Sequence, residues 1–332
     1  MASRYAEVHK SPTGAGDARP TALQIIKDEQ LENRLVGKNV LITGCSSGIG
    51  LETARALFAT GATLYLTARD IPKAEIELSS LTSSGRVHLL ELDLTSLDSV
   101  RACASKFLSQ ADHLHLFIAN AGVMACPEGR TKDGFETQFG VNHLAHFLLF
   151  NLLKDALLRS ATSGLNSRAV FLSSVGHRMG SVNFDNLKLE GAYNQWAAYG
   201  QSKTAVVWTA NEIDRRYKSK GLRAMSVMPG GIDTGLQKHM SDEETSQMFG
   251  SDEVRAAWKS PEQGAATTVW AATAKALENE GAKYLEDCQI APQWEQDSGM
   301  LGVGYAPWAF DEAGEAKLWN VSLGLVGLQS QE

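Results

Sequence analysis

The amino-acid sequence of 332 residues predicts an α/β fold, a doubly wound parallel β-sheet of about seven strands with helices on both faces. From Lys38 onward, short and almost wholly apolar segments alternate with amphipathic segments of a dozen or more residues. Strands of this kind, separated by helices, are typical of parallel sheets that are covered on both sides. A glycine-rich loop after the first strand also supports this class. The predicted strands span residues 39–43, 63–67, 87–92, 114–119, 169–173, 223–227 and 283–285.

The polar segment before the first strand is predicted to be an N-terminal arm, residues 1–36, with a short helix over residues 22–34. Serine, proline, threonine and glycine follow one another over residues 11–16, a composition typical of flexible chain. No internal repeat is visible in the sequence. We therefore expect residues 37–332 to form a single domain.

Composition and charge argue against several functional classes. The net charge of −7 and the lack of a basic run disfavour a nucleic-acid partner, because nucleic-acid binders usually present a basic surface. The four cysteines are widely spaced without a CxxC pair, which disfavours a disulfide framework or a zinc site. No apolar stretch reaches the ~20 residues that span a bilayer, and the N-terminus lacks a signal-peptide core. We therefore expect a cytoplasmic protein with no nucleic-acid partner, membrane span or metal site.

A glycine-rich loop connects the first predicted strand to the following helix, with a GxxxGxG spacing. Glycine lets the backbone turn sharply and approach a phosphate closely. The helix N-terminus offers unpaired N–H groups and the positive end of its dipole to a pyrophosphate. We interpret the segment as a dinucleotide-binding loop, and the alternative is a tight turn between strand and helix. Its predicted cofactor-binding residues are Gly44, Ser46, Ser47, Gly48, Ile49 and Gly50.

The end of the second strand predicts which dinucleotide binds. An acidic residue there favours the ribose 2′-hydroxyl of NAD, whereas an arginine accommodates the 2′-phosphate of NADP. The sequence has Ala68 where the acid is expected, followed by Arg69. We therefore expect NADP(H) to be favoured over NAD(H), with Arg69 as the discriminating residue. The alternative is that Arg69 forms a surface ion pair with Asp70.

Tyr199 and Lys203 stand four residues apart, which places them one turn apart on one face of a helix. A free phenol titrates near ~10, and a neighbouring ammonium favours the phenolate. We therefore interpret Tyr199 as a group that exchanges a proton near neutral pH. The alternative is a helical tyrosine packed at the edge of the core.

Together these motifs resemble those of the short-chain dehydrogenase/reductase family over about residues 38–291, and most of all its retinol-dehydrogenase-like and WW-domain-oxidoreductase-like branch. The glycine loop matches the family's TGxxxGIG, and Tyr199 and Lys203 match its YxxxK. The resemblance implies a Rossmann-type fold. It also implies further cofactor-binding residues: Asp93 with Leu94 at the adenine, Asn120, Ala121 and Gly122 after the fourth strand, Pro229, Gly230, Ile232 and Thr234 near the nicotinamide, and Tyr199 and Lys203 themselves.

The resemblance implies a catalytic set of Asn142, Ser174, Tyr199 and Lys203. It implies an oxidoreductase that interconverts a hydrophobic alcohol and its ketone or aldehyde by hydride transfer. Tyr199 then serves as general acid/base, Lys203 lowers its pKa and holds the nicotinamide ribose, and Ser174 donates a hydrogen bond to the substrate oxygen. Asn142 holds a water that links Lys203 to solvent. The alternative is a cofactor-binding scaffold without turnover, although such proteins usually lack the Ser, Tyr or Lys.

A small hydrophobic carbonyl or alcohol is the expected substrate, and retinoid, steroid, polyketide and terpenoid classes all stay open. Its site is expected under a loop of about residues 235–260 and the segment between Ser174 and Tyr199, with a C-terminal extension over about 292–332. The resemblance also implies a homodimer or tetramer through helices at about 135–159 and 196–217. The expected apolar lining, which could equally be core, is Met179, Phe184, Tyr193, Trp196, Leu236, Met240, Met248 and Phe249.

Overall fold

The computed structural model describes residues 4–162 and 164–329, and one eight-stranded sheet runs through these residues. The strand order is β3-β2-β1-β4-β5-β6-β7-β8, in which β1 to β7 are parallel and β8 is antiparallel to β7. All seven predicted strands are confirmed, with ends displaced by one or two residues. The strands are β1 (Asn39–Ile42), β2 (Thr63–Ala68), β3 (Val87–Glu91), β4 (Leu116–Ala119), β5 (Ser167–Leu172), β6 (Leu222–Met228), β7 (Tyr284–Glu286) and β8 (Gln289–Ile290).

The sheet is doubly wound because the strand order reverses between β1 and β4, which lie side by side. Ligands of open α/β sheets bind outside the carboxyl ends of the strands at such a switch point. Gly44 lies just after β1, and Asn120 directly follows β4. The topology therefore places the two predicted cofactor loops side by side at the switch point.

Helices cover both faces of the sheet, as predicted. Side chains of successive strand residues point to opposite faces. Val40 and Ile42 accordingly pack in a core with α1, α2 and α12, while Leu41 packs in a second core with α5, α7, α8 and α13. No helix in the described ranges is both long and apolar enough to cross a bilayer. The helices are α1 (Ala22–Asp28), α2 (Gly48–Phe58), α3 (Ile71–Glu77), α4 (Ser79–Thr82), α5 (Leu97–Leu108), α6 (Thr137–Phe139), α7 (Ala145–Ser160), α8 (Gln195–Tyr217), α9 (Asp242–Phe249), α10 (Asp252–Ala257), α11 (Pro261–Gly264), α12 (Ala266–Thr273) and α13 (Glu312–Leu325).

Helix α13 covers the apolar face of α7 and α8 that was expected to contact a second copy of the chain. The Trp319 ring packs edge-to-face on Phe147, with centroids 4.9 Å apart. The Ser322 hydroxyl lies 2.8 Å from Nε2 of His143. This part of the expected contact face is therefore covered by the protein's own helix α13.

The N-terminal segment packs against the domain. Helix α1 ends at Asp28, earlier than predicted, and its Ile25 and Ile26 are fully buried. Arg19 is only 5% exposed and donates hydrogen bonds to the carbonyls of Ala257 (2.7 Å) and Trp258 (2.6 Å). The predicted flexible arm therefore packs against residues near the end of the long loop after β6.

Candidate active site

A cavity of about 840 Å³ lies at the carboxyl ends of β1, β4, β5, β6 and β7. Its size is within the usual range for small-molecule sites. It is lined by residues from loops that are far apart in the sequence, which the parallel sheet brings to one edge. The predicted site residues that line it are Gly44, Ser46, Ser47, Gly48, Ile49, Gly50, Asn120, Ala121, Gly122, Ser174, Tyr199, Lys203, Pro229, Gly230, Ile232 and Thr234.

The glycine loop forms a close-packed cradle with no room for larger side chains. Gly44 has a φ of +72°, and an added Cβ would lie 2.8 Å from the Cβ of Ala121. A Cβ on Gly50 would lie 2.1 Å from the carbonyl oxygen of Gly44. Helix α2 begins at Gly48, and Ser47 at its N-cap makes no side-chain hydrogen bond to the first N–H groups. These N–H groups can therefore bind an anion such as a pyrophosphate.

The hydroxyl of Thr43 joins the loops after β1 and β4. It accepts hydrogen bonds from the N–H groups of Asn120 (2.9 Å) and Ala121 (3.0 Å), and it lies 2.9 Å from Nε2 of His146. The Asn120 side chain donates in turn to the Thr43 carbonyl at 2.8 Å. Because the loop after β4 donates several hydrogen bonds to Thr43, the two loops keep one relative position. His146 packs against this junction and supports it.

Tyr199 and Lys203 lie one turn apart on α8, and both line the cavity. Nζ of Lys203 lies 5.7 Å from the centroid of the Tyr199 ring and donates to the Leu172 carbonyl at 2.8 Å. The Ser174 side chain acts on the Tyr199 hydroxyl and lowers its pKa. A Cβ on Gly176 would lie 2.5 Å from the Tyr199 ring, so only glycine allows the ring to pack against this turn.

Burial dominates the electrostatics of this pair. It raises the pKa of the Tyr199 hydroxyl to about 12, although the hydrogen bond with Ser174 lowers it. Burial also lowers the pKa of Lys203 to about 8. Removing both groups from water disfavours both charged forms. The neighbouring lysine alone would suggest a Tyr199 pKa near neutrality, but burial keeps it well above that. The Tyr199 hydroxyl is therefore protonated at neutral pH.

Asn142 lies behind Lys203 in a π-helical segment directly before α7, outside the cavity lining. Its side-chain Oδ1 accepts from the Val123 N–H (2.8 Å), and its Nδ2 donates to the Val123 carbonyl (2.9 Å) and to Ser202 Oγ (2.9 Å). Local π-helical turns occur frequently at functional sites. The Asn142 amide thus fixes the loop after β4 to the tyrosine helix.

Lys259, which the sequence analysis missed, supports the loop after β6. It is 4% exposed, and its Nζ donates to the Pro229 carbonyl (3.2 Å) and to Asp287 Oδ1 (2.6 Å). Its backbone pairs with that of Ile232, and a Cβ on Gly230 would lie 2.8 Å from its Cδ. The lysine therefore sets the position of the residues predicted to contact the nicotinamide.

Three predicted cofactor residues, Arg69, Asp93 and Leu94, lie outside the cavity lining, near the ends of β2 and β3. Asp93 is paired with Lys132 Nζ at 2.9 Å. The Asp70 side chain caps α3, and among the described residues it forms no ion pair with Arg69. The Arg69 side chain is exposed beside the switch point.

Comparison with known proteins agrees with this geometry. A family model described as short chain dehydrogenase matches residues 38–245. The short-chain dehydrogenase/reductase prx1 of Penicillium rubens is 50% identical, over 98% of this chain and 95% of that protein. Retinol dehydrogenase 11 of Homo sapiens is 39% identical, over 89% of this chain and 87% of that protein. The chain belongs to the short-chain dehydrogenase/reductase family.

A solved structure of another protein has the same fold. A crystal structure of a protein from Mycobacterium paratuberculosis superposes with a TM-score of 0.68 at 31% identity, covering 96% of this chain and all of that chain. Both the predicted family and the resemblance to retinol dehydrogenases are confirmed. The arm, the second half of the long loop after β6 and the C-terminal segment lie outside the matched family model.

In this short-chain dehydrogenase/reductase, the predicted apolar lining is only partly correct. Met179, Trp196, Leu236, Met248 and Phe249 line the cavity, but three predicted members do not. The Phe184 ring stacks on Trp208 in the core. The Tyr193 hydroxyl donates to the Cys126 carbonyl at 2.6 Å. Met240 packs against the cluster around Tyr199 but does not itself line the cavity.

Most of the polar residues in one part of the cavity were not predicted from the sequence. This part, called the substrate half below, is lined by the N-terminal segment, the residues before α11, the end of β7 and residues 300–303. These residues come from both ends of the chain and carry no periodic pattern. The one available signal was the strand-end rule, because Glu286 ends β7 and Asp287 follows it. The lining residues that were not predicted include His9, Lys10, Pro12, Arg19, Lys259, Glu286 and Asp287, with residues 300–303.

Proposed function

We propose that this short-chain dehydrogenase/reductase is an NADP(H)-dependent oxidoreductase that interconverts an apolar alcohol and its ketone or aldehyde, with Tyr199 as the proton donor and acceptor. One observation carries the proposal. The Tyr199 hydroxyl, its Ser174 partner, Lys203 and the glycine cradle all line one cavity at the switch point of the sheet.

The residues around the cavity fit a nicotinamide dinucleotide. The cradle of Gly44, Gly48 and Gly50 excludes side chains and presents a helix N-terminus, which suits a pyrophosphate. Lys203 would hold the nicotinamide ribose, and Ile232 with Thr234 would hold the carboxamide. The bound nicotinamide supplies or accepts the hydride.

The protein's own contribution is proton transfer and polarisation. Tyr199 keeps its proton at neutral pH because burial raises its pKa to about 12, so the proton needed for ketone reduction is in place. Ser174 lines the same cavity as Tyr199 and would donate to the substrate oxygen as negative charge develops there. Asn142 would keep the tyrosine helix and the loop after β4 in register, rather than contact the substrate.

The preference for NADP(H) rests on Arg69. Ala68 occupies the position where an acidic residue would bind the ribose 2′-hydroxyl of NAD, and the next residue is an exposed arginine without a partner acid at Asp70. A guanidinium there would attract a 2′-phosphate.

An apolar substrate is supported by the lining and by one relative's name. Met179, Trp196, Leu236, Met248 and Phe249 line the same cavity as Tyr199. The human relative is named a retinol dehydrogenase, and retinol is an apolar alcohol. Methionine side chains adapt to irregular apolar shapes, so we expect a tolerance for several carbon skeletons.

The proposal is tested by NADPH oxidation with a panel of apolar ketones and aldehydes, in the wild type and in Tyr199→Phe. We expect Tyr199→Phe to lower kcat by at least ~10², the scale of general acid–base catalysis. Tyr217→Phe is the matched control, because Tyr217 ends the same helix and lies outside the cavity lining. It should retain wild-type turnover.

Two results would count against the proposal. Turnover of Tyr199→Phe within threefold of wild type would remove this residue from the mechanism. Tight NADPH binding without oxidation by any ketone or aldehyde of the panel would favour the scaffold alternative.

A further inference from the structure

A buried carboxyl group borders the substrate half of the cavity. Glu286 is the last residue of β7, it is 6% exposed, and it lines the cavity. In the sheet it pairs with Met228, which lines the cavity as well. Glutamate is rarely buried to this extent without a paired charge or a ligand.

The two carboxyl oxygens of Glu286 are in different situations. Oε2 accepts a hydrogen bond from the Gly304 N–H at 2.9 Å and lies 3.6 Å from Nη2 of Arg178. Oε1 receives no hydrogen bond from any described residue, and it is not among the enclosed polar atoms that lack a partner. Oε1 is therefore the oxygen that remains available to a molecule in the cavity.

Neither of the two nearby cations donates a hydrogen bond to Glu286. Lys259 is bound to Asp287 at 2.6 Å, and Arg178 donates through Nε (3.1 Å) and Nη2 (2.7 Å) to the Gly304 carbonyl. Burial, reinforced by the Asp287 carboxylate, raises the pKa of Glu286 to about 7, although Gly304 and Arg178 lower it. The charged carboxyl thus lacks part of the solvation that water would supply.

The surroundings of Glu286 limit the kind of ligand group that can reach it. The cavity wall nearby includes Val303 and residues 300–302 of the C-terminal segment. In the described structure, Glu286 is hydrogen-bonded to Gly304 and paired with Arg178, and it makes no hydrogen bond to Tyr199. A ligand that satisfies both Glu286 and Tyr199 therefore presents a separate polar group to each.

We propose that Glu286 binds a hydroxyl group of the substrate that is distinct from the reacting oxygen. The substrate class is then an apolar hydroxyketone, hydroxyaldehyde or diol, in which one oxygen reacts at Tyr199 and another donates a hydrogen bond to Glu286 Oε1. This inference rests on the proposed function, since it specifies the substrate of that same site.

A purely structural role is the competing explanation, because Glu286 also fastens the segment around Gly304. The two roles differ in what they do to substrate choice. A structural defect lowers kcat/KM for every substrate alike. Loss of a hydroxyl-binding carboxyl lowers it only for substrates that carry the second hydroxyl.

The test uses bicyclic and steroid-like ketones, each paired with analogues that carry one hydroxyl at different ring positions. For the wild type, we expect a hydroxyl at one position to raise kcat/KM by about tenfold or more, since hydrogen bonds to charged groups are the stronger ones. The ratio of kcat/KM for the hydroxylated ketone to kcat/KM for its parent should fall to within twofold in Glu286→Leu. It should take an intermediate value in Glu286→Gln, whose amide still accepts a hydrogen bond from Gly304.

The controls separate folding and general activity from the inference. Val303→Ala removes apolar volume from the same wall and should change kcat/KM for both members of a pair in parallel. A hydroxyl preference that survives in Glu286→Leu would overturn the inference, as would a wild-type panel without any preference above twofold. In the second case, reduction of the parent ketones would leave the proposed function intact, whereas failure to reduce any ketone would reject the function itself.

Discussion

The cofactor half and the substrate half of the cavity are built by different means. The cofactor half consists of loops at the ends of β1, β4 and β6, joined by backbone contacts and by the hydroxyl of Thr43. The substrate half joins the N-terminal segment, the residues before α11, the end of β7 and residues 300–303. Buried charged side chains such as Arg19, Lys259 and Glu286 hold these segments together.

The two halves should therefore tolerate different kinds of substitution. Backbone conformation controls the cofactor half, so a single added methyl group can block it. Long-range hydrogen bonds and ion pairs control the substrate half, so removing one of them should weaken folding and substrate choice while leaving the cradle intact.

The largest effect is expected in the glycine cradle. In Gly50→Ala the added Cβ would lie 2.1 Å from the Gly44 carbonyl oxygen, and backbone atoms cannot move aside cheaply. We expect NADPH to bind at least ~100-fold more weakly, or the protein not to fold, because closely packed backbone costs several kcal/mol to displace. Fluorescence titration with NADPH and thermal unfolding provide the measurement.

The matched control for this variant is Gly235→Ala. Gly235 also lines the cavity, but an added Cβ meets no atom within 4 Å in the described structure. It should bind NADPH like the wild type. A Gly50→Ala protein with native thermal stability and NADPH affinity within threefold would refute the cradle.

In the substrate half, Arg19→Ala should lower the free energy of unfolding by roughly 2–4 kcal/mol, because it removes a buried side chain that donates to the half-buried carbonyls of Ala257 and Trp258. The KM for a ketone substrate should rise, while the Kd for NADPH stays within threefold. Denaturant unfolding and steady-state kinetics measure the two effects.

Arg4→Ala in the same segment is the control, because its ion pair with Asp28 is largely exposed on the arginine side. Such pairs contribute at most about 1 kcal/mol. Equal losses in the two variants would show that the burial of Arg19 does not matter. A loss of NADPH affinity equal to the loss for the ketone would remove the distinction between the halves.

The buried Glu286 carboxyl should make the free energy of unfolding depend on pH. Its folded pKa, about 7, is raised above the ordinary 4.5, mainly by burial. The stability that Glu286 contributes is therefore fully present below pH 4.5 and is lost as the pH rises through 7. Asp287 adds to this shift, and Arg178 and Lys259 oppose it. Glu286→Gln should therefore gain stability relative to wild type between pH 4.5 and 8, by up to roughly 3 kcal/mol. A difference in unfolding free energy that stays constant over this range would contradict the prediction.

The smallest effect is expected at the exposed edge of the cofactor half. Arg69→Ala should raise the KM for NADPH about tenfold and change the KM for NADH less than twofold, because only NADPH carries the 2′-phosphate. Lys73→Ala, which removes another exposed cation nearby on α3, controls for general charge. Equal changes in the two KM values for Arg69→Ala would reject the NADP(H) preference.

Much of the fold and of the cofactor half could be predicted because their signals are local. The apolar run of β5 is read directly as a buried strand, and Gly44 and Gly48 stand out because their positive φ angles favour glycine. Strand β8 escaped prediction since two residues carry no pattern. The seating of Arg19 escaped it because its partners lie at residues 256–258, and nothing in either segment marks the other.

Local sequence patterns were enough to predict the class of sheet, the glycine loop and the placing of a tyrosine and a lysine on one helical face, because each depends on the spacing of a few neighbouring residues. Only the folded structure shows that burial, and not the adjacent ammonium, governs the pKa of Tyr199. It alone placed Glu286 at the cavity and α13 over the expected dimer face. Desolvation and long-range contacts arise only when distant segments pack together, so no local pattern can specify them.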